Sequence, residues 1–209
     1  ARSRRSHGRA RRIGTTVASG CASPDCPGGV SCTLGEGVAM RLGLALIGIG
    51  WLHLLAFGAC WWLTVGVGYH SAPGYLAIWA AELLGTGAIL RAAGPWPTDA
   101  RGRFVARVWL AYLALGLNLC TMNGLRGHGM FELFPAMASL ASFGFLVMAM
   151  AVDGRFFAAV LAMFAAGLAM AAWHQHAYLA FAVAWWLVLN GIGWTLRREA
   201  VIASSATAG

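Results

Sequence analysis

Residues 170–186 read MAAWHQHAYLAFAVAWW, two histidines around a glutamine with thickly apolar sequence on both sides. Either His174-Gln175-His176 is a metal or haem site, or it is the wet tip of a turn between two buried segments. The solvent around the chain decides between these readings, and composition identifies that solvent. Of 209 residues, 59% are hydrophobic and 11% charged, against about a quarter charged in an ordinary soluble domain. A water-soluble fold of this size cannot hide so much apolar surface, whereas a bilayer solvates it.

Working outward from that stretch, six apolar segments emerge: Leu42–Val67, Tyr75–Ala92, Phe104–Asn123, Leu133–Val152, Phe156–Trp173 and Ala177–Leu196. Each is long enough to cross ~30 Å of hydrocarbon as a helix. Closed barrels also span, but the alternation of a strand is missing, so helices are predicted. The breaks carry Gly, Pro and charge: HSAPG, AAGPWPTDARGR, GLRGHGM and DGR. Only the last break, HQH itself, lacks Gly and Pro. The expected architecture is an all-α polytopic integral membrane protein of six helices over residues 40–198. Residues 1–39, rich in Arg, Gly, Ser and Cys, and residues 199–209 are expected to be disordered tails. The Arg- and Ser-rich, acid-poor start has the composition of an organelle transit peptide but not its amphipathic pattern.

Charge sets the expected orientation. All fifteen basic residues are arginine. With the amino terminus inside, the inner segments carry every arginine except Arg126, and discarding the tail up to Met40 leaves eight against one. The excess of arginine on one side predicts that both termini are cytoplasmic. It also replaces nucleic acid as the explanation of a pI near 10. Small residues repeat every four at Ala77, Ala81 and Gly85, at Ala158, Ala162 and Ala166, and at Ala180 and Ala184. Such stripes let helix backbones approach closely. Packing inside one bundle is the expected use, and a dimer face the other.

His70, His128, His174 and His176 fall in the outer loops under this topology. Imidazoles from different loops can converge on a metal, yet His is also ordinary at a wet interface beside Trp and Tyr. No metal site is expected. His53 and Glu82 are more informative. His53 lies eleven residues into the first segment and Glu82 seven into the second. That places them about 16 Å from the inner edge and about 10 Å from the outer edge, within about a turn of the same depth. Ionisable groups there are costly and find partners, so the two are predicted to pair. The pair is either a proton relay or ligand site, or a structural hydrogen bond. Asn118, Asn123 and Asn190 are expected to bridge helices. Cys21, Cys26 and Cys32 match no zinc spacing, and Cys60 and Cys120 are read as inert apolar thiols. No catalytic signature occurs, and the Gly-rich run GLALIGIG (Gly43–Gly50) lies inside a helix, not in a phosphate loop.

Two stretches, WPTDARGRFVARVWLAYL (Trp96–Leu113) and Glu132–Met170, carry a family likeness. Pro97-Thr98 leads to Val108-Trp109. Leu133-Phe134-Pro135 then opens a helix, and the turn Gly154-Arg155 precedes an Ala-rich one. In this order they resemble the carboxy-terminal membrane region of planctomycete serine/threonine protein kinases. The resemblance covers Met40–Arg198. It implies a membrane module of a signalling protein and no kinase activity, because the chain holds no lysine for the phosphates and no catalytic-loop motif. The expected function is therefore a non-catalytic membrane anchor or sensor. It would hold a cytoplasmic signalling partner or a second copy, bind no cofactor, and sense through the outer loops around His70, His128 and His174. Two alternatives stay open. One is a small redox protein binding haem or quinone through His53, His174 or His176. The other is a small transporter, disfavoured by how few polar residues lie in the helices.

Overall fold

The computed structural model describes residues 36–69, 72–94, 100–127 and 130–207. The helices are α1 (Glu36–Trp61), α2 (Ala72–Ala93), α3 (Ala100–Leu125), α4 (Leu133–Ala151), α5 (Phe157–Ala172) and α6 (Ala177–Thr207). A π-helical turn, Trp62–Gly66, continues α1, and single 3₁₀ turns precede α4, α5 and α6. All six are long and apolar enough to cross a membrane. α2 stops at Gly94, which takes a positive φ of 103° before the Gly-Pro break read from the sequence.

The helices pack in the order α2, α1, α6, α5, α4, α3, and α4 also touches α6. α4 and α6 carry the core on one face each, at Phe134, Ala138, Ala141, Phe145 and Met148, and at Tyr178, Phe181, Trp185 and Val188. That i, i+3, i+4, i+7 spacing is the helical period. The outer faces are apolar too. Leu84 is 75% exposed, Leu110 68% and Met150 78%. Exposed apolar surface all round a bundle is the pattern of a protein solvated by lipid.

Glycine sets the tightest contact, between α1 and α6. A Cβ on Gly43 would lie 2.7 Å from the Gly193 carbonyl oxygen, and one on Gly193 would lie 2.6 Å from that of Gly43. The Gly-rich run thus opens on a backbone-to-backbone contact at Gly43, while Gly48 and Gly50 make room for the side chains of Ile89 and Asn190. The alanine stripes are used unevenly. Ala184 is buried, Ala162, Ala166 and Ala180 are half-buried, and Ala77, Ala81 and Ala158 face outward.

Three expectations change. First, α6 does not end near Leu196. It runs to Thr207, so the tail expected to be disordered from 199 is helical that far. Nothing in EAVIASSAT breaks a helix, Ala200 is buried, and Glu199 is held by Arg155. Second, α1 begins at Glu36, ahead of the expected boundary at 40. The rest of the amino-terminal segment, with Cys21, Cys26 and Cys32, lies outside the described residues. Third, Asn190 and Asn118 bond within their own helices, to the Trp186 carbonyl at 2.8 Å and to the Met122 sulfur at 3.7 Å. Asn190 abuts Gly50, which has no side chain to offer it, so the carbonyl one turn back is the reachable acceptor. Ser142, not singled out from the sequence, does bridge two helices, donating to the Val160 carbonyl at 3.1 Å.

Candidate functional site

His53 and Glu82 meet. Nδ1 of His53 contacts Oε1 of Glu82, with side chains only 16% and 11% exposed. Both lie near the middle of their spans, Gly37–Gly66 and Pro73–Ala93. The arrangement follows from packing, because α2 leans on α1 and the inward face of each helix carries one ionisable residue at matching height. The imidazole packs at an angle against Phe57 (4.5 Å between centroids), Phe181 (5.8 Å) and Trp185 (5.6 Å). Its second nitrogen, Nε2, is buried and has no hydrogen-bond partner.

More polar groups crowd this side of the bundle, from mid-span toward the outer end of α1. Tyr112, from the middle of α3, packs edge-on to Trp185 at 5.9 Å. The Nε1 atoms of Trp79 and Trp185 are buried without a completed hydrogen bond, although the Cys60 thiol lies beside the first and the Tyr112 hydroxyl beside the second. A carboxylate, an imidazole, two indoles, a phenol and a thiol thus gather in an aromatic shell drawn from α1, α2, α3 and α6. Buried polar atoms without partners mark a place where water or a ligand fits. Trp and Tyr belong at the edges of a membrane span, so Tyr112 and Trp185 at mid-span were the overlooked sequence signal.

His174-Gln175-His176 form a 3₁₀ turn with all three side chains exposed. The two imidazoles serve different neighbours. Trp61 donates its indole N–H to Nδ1 of His176 at 3.2 Å, and His174 packs against Phe131, 5.6 Å between centroids. Among the described residues no group of three or more His, Cys, Asp or Glu is arranged to hold a metal. His70 and His128 lie outside the described residues. Cys60 and Cys120 are both free thiols.

At the same end, the π-helical turn builds a lock that the sequence did not suggest. Thr64 Oγ1 lies 2.8 Å from the Cys60 carbonyl and 2.6 Å from the Tyr75 hydroxyl, which in turn reaches the Tyr69 carbonyl. Two hydroxyl protons serve three contacts, so the chain runs one way or the other, never with all three satisfied. At the opposite end, Arg155 spans Asp153 and Glu199. Hydrogen bonds from Arg155 hold the Asp153 carboxyl below its ordinary value of 3.8.

Six apolar spans around a buried ionisable pair define the class, a multi-pass helical membrane protein. Among known proteins, no family model, no curated protein and no solved structure matches the chain.

Proposed function

We propose that the chain is a non-catalytic membrane module of the signalling kind, an anchor or sensor in a bacterial inner membrane, with His53 and Glu82 as its responsive element. The observation that carries this reading is the contact of an imidazole and a carboxylate at mid-span, with one imidazole nitrogen unsatisfied. Ionisable groups at such depth mark functional sites by default. A ligand that reaches Nε2 competes with the existing arrangement of α1, α2 and α6, and any shift reaches the arginine-rich end through the same helices. The likeness of Trp96–Leu113 and Glu132–Met170 to kinase membrane tails supports a cytoplasmic partner there.

The second reading, a redox protein holding haem or quinone through His53, draws on the same free nitrogen and its aromatic surround. Purified protein separates the two. A Soret band or an extractable quinone, lost in His53→Ala and kept in His174→Ala/His176→Ala, would replace the signalling reading by the redox one. A colourless, quinone-free protein whose crosslinked cytoplasmic partners change in His53→Leu/Glu82→Leu is the expected result.

A further inference from the structure

We infer that the groove between α3 and α4 binds an anionic phospholipid, its phosphate on Arg107 and one acyl chain along the groove. Arg107 stands three residues inside the apolar segment Phe104–Asn123, about 5 Å along the helix and so near the edge of the hydrocarbon. Its side chain is exposed, and no acidic side chain among the described residues pairs with it. Arg155, by contrast, has two carboxylates. A guanidinium at that edge reaches the headgroup layer by snorkelling, and a lipid phosphate is the counter-charge a bilayer supplies there. Its planar fork matches phosphate in a bidentate fashion.

The groove starts at this residue. It has a volume of about 280 Å³, walled by Val108, Ala111 and Leu115 on α3 and by Leu140 and Val147 on α4, with Gly144 as its floor. Gly144 opposes Val108 and Gly116 opposes Met137, so the helices run antiparallel and the groove leads from the arginine-rich end toward mid-span. A headgroup at Arg107 and a chain descending from it follow that direction. Arg101 and Arg103 stand above it on α3 and add positive potential where the headgroup sits. Tyr112, the phenol of the cluster around His53 and Glu82, also lines the groove, but the proposal rests on Arg107 and the groove walls and not on the role of that pair.

Native mass spectrometry of the full chain in mild detergent tests this, with phosphatidylglycerol and phosphatidylcholine added in equal amounts. The expected result is about fivefold greater retention of phosphatidylglycerol. Arg107→Gln should abolish the preference. Ala111→Phe, on the exposed wall and so harmless to the fold, should lower retention of both lipids by filling the groove. Arg126→Gln, at the other end, should change nothing, and millimolar inorganic phosphate should not displace the lipid. Equal retention of the two lipids by the unaltered chain overturns the proposal, as does a preference that survives Arg107→Gln. Unchanged retention in Ala111→Phe, or displacement by phosphate alone, removes the acyl-chain half and with it the site.

Discussion

At the scale of single residues, the His53–Glu82 contact decides most. Taking one partner from a buried pair leaves the other uncompensated, whereas replacing both with apolar side chains removes the desolvation cost along with the attraction. Glu82→Leu alone should destabilise the fold by about 3 kcal/mol, and His53→Leu alone by a similar amount. The double variant should recover most of that loss, read as melting temperature in one detergent. Additive losses would mean that the two side chains act separately in solution. Recovery with an intact fold supplies the clean background in which loss of signalling or of colour can be assigned to the site. The depth match of His53 and Glu82 was legible in the sequence, because counting residues along two helices fixes height. The company they keep was not. Trp185, Tyr112 and Trp79 converge only once helix order and rotation are known, and no pattern in a single apolar segment gives either.

At the scale of elements, glycine explains the closest pairing. α1 and α6 approach backbone to backbone at Gly43 and Gly193, where a Cβ would meet a carbonyl oxygen at less than 3 Å. No rotamer change relieves a clash with backbone. Gly193→Val should therefore cost about 2–3 kcal/mol or prevent assembly of the bundle. Gly191, two residues earlier on the same helix, has nothing within 4 Å of its would-be Cβ. Gly191→Ala should be neutral or stabilise by about 0.5–1 kcal/mol through helix propensity. Detergent-melting curves of the two variants check the contrast, and equal destabilisation would refute the assigned α1–α6 interface. The element boundaries marked by Gly and Pro were readable, and five of the six segments end within a few residues of expectation. The carboxy-terminal end of α6 was not, because hydropathy falls at Arg197 while the helix continues on Ala200 and on the Arg155–Glu199 pair. The π-helical turn also escaped, since Thr64 holds it through Tyr75 from another helix.

At the scale of the molecule, the distribution of arginine becomes geometry. The close approach of Gly94 to Arg41, of Gly43 to Arg197 and of Arg155 to Glu199 gathers the start of α1, the end of α2, the α4–α5 turn and the distal part of α6 at one end. Among the described residues that end holds Arg41, Arg91, Arg101, Arg103, Arg107, Arg155, Arg197 and Arg198, and the other end holds Arg126. An even number of spans returns both ends of the six-helix region to one side, and the arginine excess predicts that this side is cytoplasmic. Single cysteines in a background freed of the native five test this with a membrane-impermeant maleimide. Gln175→Cys, in the exposed turn between α5 and α6, should label in intact cells. Ser205→Cys, beyond the arginines, should label only after permeabilisation. The reverse pattern would put the arginine-rich face outside, and a cytoplasmic partner at that face would then be untenable, whatever His53 and Glu82 bind. The expected pattern would give the midplane site the geometry a sensor needs, with Trp61 and His176 on one side of it and the partner-facing arginines on the other.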